Sequence, residues 1–71
     1  MVLKNNKEVY MPYNEYKQQA WQYYNTAILN LEMGNIGTAR SHFSMARAIA
    51  VKNGMNDLIK LIDDKLKEIG S

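Results

Sequence analysis

Apolar residues recur at intervals of three and four along most of this chain, the period of an amphipathic α-helix. The first such stretch predicts a helix from Tyr13 or Asn14 to Gly34. Asn14 suits the N-cap, and Gly34 suits the stop. The apolar positions of this helix are Tyr16, Ala20, Tyr23, Tyr24, Ala27, Ile28 and Leu31, with Trp21 widening the apolar face.

The same period predicts two further helices, from Ile36 to Lys52 and from Asn56 or Asp57 to Ile69. Asn56 or Asp57 is predicted to cap the third helix. The second helix has apolar residues at Ile36, Ala39, Phe43, Ala46 and Ala50. The third has Leu58, Ile59, Ile62, Leu66 and Ile69, with Leu61 at the edge. No useful strand pattern occurs, and both links are short. We therefore expect an all-α fold of three antiparallel helices.

The segment before the first helix lacks a helical period. Val9, Tyr10 and Met11 form a short apolar cluster before Pro12, and a residue that precedes proline is kept out of the α region. We interpret residues 1–12 as an N-terminal arm and residues 13–71 as one three-helix domain. The arm is either frayed or partly ordered, if Tyr10 or Met11 finds a groove.

Size and composition narrow the choice of function. The 71 residues include no cysteine and one histidine, so disulfides, thiolate metal sites and histidine clusters are excluded. A core this small is commonly supported by oligomerisation or regular helix packing. Without a membrane-spanning apolar run or a secretory signal, we expect a cytoplasmic protein. Frequent Asn, Lys, Ile and Tyr have A/T-rich codons, which suggests a low-GC bacterium or its mobile elements.

No enzymatic constellation stands out. The acidic cluster of Asp63, Asp64 and Glu68 falls on the polar face predicted for the third helix. His42 is predicted to lie at the rim, because it points away from the alanine stripe. The glycines at 34 and 37 follow a helix and lack the Lys-Ser/Thr of a phosphate loop. We expect a non-enzymatic protein that uses no cofactor or metal.

Charge is distributed unevenly, although the net value is only +2. Residues 33–55 contain Arg40, Arg47 and Lys52 but no acid. These residues could bind phosphates of a nucleic acid, which is the alternative function. The two arginines could instead pair with acids of the third helix, such as Asp57 or Asp64, and we favour this structural interpretation.

Aromatic residues concentrate in and just before the first helix and give it two apolar stripes. One stripe contains Tyr16, Ala20, Tyr23 and Ala27, and the other contains Trp21, Tyr24, Ile28 and Leu31. One stripe can face the other helices, which leaves the second for a partner, the arm or water. Tyrosine and tryptophan are enriched at interfaces. The two stripes together could also form one wide core face, and the sequence leaves both interpretations open.

Residues 23–69 resemble a tetratricopeptide-type repeat. The resemblance rests on the turn and small residues of 33–39, followed by Phe43, Ala46, Ile49 and Ala50. Thr26 and Asn30 depart from it, because the family has large apolar residues there. The resemblance implies one and a half repeats, with the third helix as a cap. Three-helix microtubule-interacting-and-trafficking domains share this size and topology.

The family resemblance also implies a function without catalysis. First helices of tetratricopeptide repeats line a concave groove that binds peptides, which by register assigns the groove to Trp21, Tyr24, Ile28 and Leu31. Since about three repeats are needed for a self-sufficient solenoid, we expect a homodimer. The leading hypothesis is a small adaptor, regulator or inhibitor. It would bind a partner protein, or itself, through these four residues and Tyr16.

Overall fold

The computed structural model describes residues 12–70, which form three α-helices. They are α1 (Pro12–Glu32), α2 (Ile36–Lys52) and α3 (Asn56–Glu68). The described residues contain no strand, which confirms the all-α, three-helix prediction. The proposed arm lies outside the described residues, except for Pro12.

The start of α1 corrects one prediction. The helix begins at Pro12, so Asn14 lies inside the first turn and is not the N-cap. Proline suits the first helical position because its fixed φ is already helical and its missing N–H would have no intrahelical acceptor there.

The two links between helices have the same backbone structure. Gly34 and Gly54 follow their helices with φ of +85° and +65°, a left-handed conformation that favours glycine. Asn35 N–H donates to the Asn30 carbonyl at 2.8 Å, and Met55 N–H donates to the Ala50 carbonyl at 2.9 Å. Each link is thus a Schellman motif, which pairs the last carbonyls of one helix and ends it sharply.

The same links also begin the next helix. Asn35 and Met55 are the N-cap residues of α2 and α3, and their carbonyls accept from Ala39 N–H and Ile59 N–H. Neither makes a side-chain cap hydrogen bond. The prediction that Asn56 or Asp57 caps α3 is therefore wrong, because the residue that completes the preceding motif already occupies the cap position.

The buried core is built around α2, with α1 and α3 each packed against it. It consists of Ala20 and Ala27 from α1, Ala39, Phe43, Ala46 and Ala50 from α2, and Leu58 and Ile62 from α3. Alanine on both α1 and α2 allows these two helices to approach closely. Phe43 is the largest of the buried side chains and fills the space that this spacing leaves.

Ile36 is the exception to the predicted core face of α2. Its side chain is 37% exposed. Helix α3 has 13 residues against the 17 of α2, and it returns along α2 from the link at Gly54. At 1.5 Å per residue it ends about one turn short of Ile36, so no third helix covers that residue.

Candidate protein-interaction face

An aromatic chain leads from the core to the surface of α1. Phe43 is fully buried, and the Tyr24 ring packs edge-on against it with the ring centroids 5.7 Å apart. The Trp21 ring packs against Tyr24 in a T-shaped arrangement, also at 5.7 Å. Tyr24 is half-buried, whereas Trp21 remains 40% exposed. The core therefore holds Trp21 in place through Tyr24 without covering it.

A cavity of about 430 Å³ lies beside Trp21, between α1 and the start of α3. Its α1 wall is made of Lys17 and Trp21, which lie one helical turn apart. Its other wall is the link and first turn of α3, residues 54–58, in which Met55 and Leu58 supply apolar atoms. Lys17 and Asp57 give the cavity a charged rim. Such a recess suits a large side chain that has an apolar body and a polar end.

The remaining residues predicted for the interaction face lie in two different places. Ile28 and Leu31 are half-buried and pack against the core. They therefore contribute less exposed surface to the interaction face than Trp21 does. Tyr16 is 53% exposed and lines a separate cavity of about 400 Å³ with Ile49 and Lys52 of α2. The structure therefore brings Trp21 and Tyr24 together but places Tyr16 on the other flank of α1.

The core side of α1 lies between the two predicted stripes. Ala20 and Ala27 of the first stripe are buried, together with half-buried Tyr24 and Leu31 of the second. Tyr16 and Trp21, one from each stripe, remain exposed on opposite flanks. Neither predicted stripe is therefore wholly buried or wholly exposed, because α2 covers residues of both stripes along the boundary between them.

Arg47 bonds to an acid of α3, as the structural interpretation expected, although the acid is Asp63. Arg47 Nε donates to Asp63 Oδ1 at 2.8 Å, and Arg47 Nη2 donates to Asp63 Oδ2 at 3.4 Å. This hydrogen bond and the opposite charge raise the pKa of Arg47 and lower the pKa of Asp63. Arg47 is thus engaged within the fold, which reduces the basic face predicted for nucleic acid.

His42 lies at the rim of the helix pair, as predicted. It is half-buried, its Nδ1 donates to the Thr38 carbonyl at 2.9 Å, and its ring lies 5.9 Å from that of Tyr23. Among residues 12–70, no group of three or more His, Cys, Asp or Glu side chains could hold a metal ion. Within the same range, no helix has the length and apolar content to cross a membrane.

One polar arrangement was missed by the sequence reasoning. The Asn30 amide donates to the Thr26 carbonyl at 2.9 Å and accepts from the Asn35 side chain at 3.3 Å. Thr26 and Asn30 are the two positions that depart from the tetratricopeptide pattern. Asn30 thus helps to close the link after α1, and the available signal was its position four residues before Gly34.

Comparison of the chain with protein-family models, with curated proteins and with solved structures gave no match in any of the three. The functional argument therefore depends on the residues and geometry described above.

Proposed function

We propose that this chain is a non-enzymatic protein-interaction module, an adaptor, regulator or inhibitor that binds a partner protein through Trp21 and the cavity beside it. The observation that carries the proposal is the placement of Trp21, a large aromatic side chain that is 40% exposed and fixed by Tyr24 against the core. A rigid aromatic anchor beside a recess is the usual centre of a protein interface.

The chemistry of the face agrees with a protein partner. Met55 offers apolar surface at the cavity, and Lys17 and Asp57 offer one charge of each sign at its edge. Interfaces commonly have such an apolar centre within a polar rim. The partner is a second protein or another copy of this chain, as the tetratricopeptide resemblance implies. We also propose that the protein is cytoplasmic and of bacterial or phage origin.

The alternative, nucleic-acid binding, has less support. Arg47 already bonds to Asp63. Arg40 and Lys52 lie 12 residues apart, which separates them by about 120° around α2. The three basic residues therefore do not form one continuous basic stripe.

Replacement of Trp21 tests the proposal. Tyr24 is left unchanged, because it packs against Phe43 and its loss would also disturb the core. Trp21→Ala should weaken partner binding or self-association by about 30-fold or more, since an interface hot spot is worth about 2 kcal/mol. Light scattering over a concentration series measures self-association, and capture from extracts of the native host measures binding to another protein.

Leu29→Ala is the matched control. Leu29 is on the same helix and is 58% exposed, but it lies about 200° around α1 from buried Ala27. The Leu29→Ala variant should retain association, whereas Trp21→Ala should lose it. Circular dichroism should show equal helix content in the two variants. A wild-type chain that stays monomeric and captures the same proteins as Trp21→Ala would refute the proposal.

A further inference from the structure

The link between α2 and α3 contains the one Asn-Gly dipeptide of the chain, Asn53-Gly54. Asparagine is among the thermally labile residues, because the backbone nitrogen of the next residue can attack its side-chain carboxamide carbon. Glycine as the next residue has no side chain to hinder that attack. The sequence therefore places at this link the dipeptide in which the reaction meets the least steric obstruction.

The closed link keeps the two reacting groups apart. Asn53 Nδ2 donates to the Ile49 carbonyl at 2.9 Å, which holds the carboxamide against the last turn of α2. Ring closure needs Asn53 Cβ and the Gly54 nitrogen to be nearly eclipsed about the Cα–C bond of Asn53. At the observed ψ of +12°, the Gly54 nitrogen is instead nearly eclipsed with the backbone nitrogen of Asn53. The reaction therefore requires the link to open first.

The position of the link in the fold allows such opening. Gly54 is exposed and Asn53 is half-buried, and neither residue belongs to the buried core. The Schellman motif is closed by the hydrogen bond from Met55 N–H to the Ala50 carbonyl. Surface segments with few buried apolar contacts open locally at a lower free energy than the core does. Asn53 is thus protected most of the time and reactive in a minor, open state.

We propose that Asn53 is a latent modification site, which deamidates and isomerises when the link opens. The Gly54 nitrogen gives up its proton and bonds to Asn53 Cγ. The bond from Cγ to Nδ2 breaks, and Nδ2 leaves as ammonia with that proton. Water then adds to either carbonyl carbon of the resulting succinimide ring and opens it. One direction of opening gives aspartate, and the other gives isoaspartate, in which the main chain runs through Cβ and Cγ.

Neither product can rebuild the closed link. Aspartate places a carboxylate where Nδ2 donated to the Ile49 carbonyl, at the negative end of the α2 dipole. Isoaspartate adds one carbon to the backbone between Ala50 and Met55, whose hydrogen bond closes the Schellman motif. Because the same motif begins α3, the modification should loosen the packing of α3 against α2.

This inference goes beyond the proposed function and does not depend on it. Its chemistry and its effect on stability are measured on the isolated chain, so it can hold in a chain that binds no partner and fail in one that does. Residues 54–58 form one wall of the cavity beside Trp21. If the proposed function is also correct, the modified chain should bind its partner more weakly.

Peptide mapping tests the site and its protection together. The full-length chain is incubated at mildly alkaline pH, folded or in urea, and trypsin then releases residues 53–60 as one peptide. The folded chain should gain one mass unit at Asn53 more slowly than the chain in urea by about tenfold or more, since the link is open for only a small fraction of the time. Fragment spectra distinguish Asn53 from Asn56. The control Asn53→Gln, whose longer side chain closes a ring poorly, should show almost no gain at residue 53.

The urea midpoint tests the consequence. The modified chain is separated by ion exchange on its added negative charge, and its isoaspartate is identified by labelling with an isoaspartate methyltransferase. Its midpoint should lie below that of the unmodified chain. The matched control Asn53→Asp carries the charge on a normal backbone, so its midpoint should fall between the two.

Three results would overturn the inference. The first is an equal reaction rate at Asn53 in the folded chain and in urea, which would show that the link gives no protection. The second is a mass gain that falls mainly on other asparagines. The third is an isoaspartate-containing chain with the urea midpoint of the unmodified protein, which would show that the link tolerates the altered backbone.

Discussion

At the scale of single residues, the contact between Arg47 and Asp63 is the best-defined electrostatic feature of the described chain. Two hydrogen bonds join the guanidinium of α2 to the carboxylate of α3. The Arg47 hydrogen bond is the main cause of the lowered pKa of Asp63, and the charge of Lys67 adds to it. Both side chains are more than 40% exposed, so water screens the pair and its effect on stability is small.

The lowered pKa predicts how the protein responds to acid. Asp63 contributes stability above its unfolded pKa of about 3.9, and this contribution is lost as the pH falls through the lower pKa of the folded state. The Asp63→Asn variant lacks the contribution at every pH. Its urea midpoint should therefore lie below that of the wild type at neutral pH and converge with it at about pH 2.

The neighbouring carboxylate supplies the control for this acid titration. Asp64→Asn also removes one negative charge from α3 but leaves the Arg47–Asp63 pair intact. Its urea midpoint should keep the wild-type difference between neutral and acid pH. If the midpoint of Asp63→Asn falls with acid as steeply as that of the wild type, the pair makes no contribution of this kind.

At the scale of the helices, the hydrophobic period predicted most of the residues that are buried in α2 and α3. The bounds of α2 agree with the prediction, and its buried residues Ala39, Phe43, Ala46 and Ala50 are the predicted stripe without Ile36. In α3, Leu58 and Ile62 are buried and Leu61 is exposed, again as the period indicated. A helix that is covered by neighbours must place apolar residues on the covered side, and the sequence records this directly.

The helix ends and the candidate face were less predictable, for a different reason. The N-cap of α3 is Met55 because the Schellman motif of the preceding helix sets the backbone there. Side-chain preference alone favoured Asn56 or Asp57. Similarly, the exposure of Trp21 depends on how closely α2 approaches α1. Several of the alanines that control this approach lie on α2, so the pattern of α1 alone left the choice open.

Alanine should change the stability of the fold in opposite directions at Gly54, in a link, and at Gly37, within α2. Gly54 ends α2 at φ +65°, and an alanine there would be strained even though no atom obstructs its Cβ. Gly54→Ala should destabilise the fold by about 1–2 kcal/mol. Gly37 lies in the first turn of α2 with open space around a new Cβ. Gly37→Ala should stabilise the fold by about 0.4–1 kcal/mol, because it restricts the unfolded chain.

Urea unfolding monitored by circular dichroism measures both glycine variants under one set of conditions. Each variant adds a single methyl group at an exposed position, so the other serves as its control for composition. Two shifts in the same direction would contradict the argument, because it assigns the difference to the backbone conformation and not to the added methyl group.

At the scale of the whole molecule, α2 is the one helix among the three of residues 12–70 that packs extensively against both of the others. Among the described helices, α1 therefore has a single extensive neighbour, and neither flank of α1 packs extensively against a second one. Tyr16 and Trp21 lie on these two flanks. The same arrangement that places a small core around Phe43 thus leaves aromatic surface on α1, which is the physical basis for the proposed interaction face.

The central position of Phe43 predicts that the whole fold depends on this side chain. A core of this size supplies about 3–5 kcal/mol of stability, and truncation of a buried phenylalanine to alanine costs about the same amount. Phe43→Ala should therefore be largely unfolded at 25 °C, with loss of the helical signal at 222 nm by circular dichroism. Met45→Ala, two residues away and 45% exposed, should unfold with a urea midpoint close to that of the wild type. A Phe43→Ala chain that unfolds cooperatively near the wild-type midpoint would show that the three helices do not share this core.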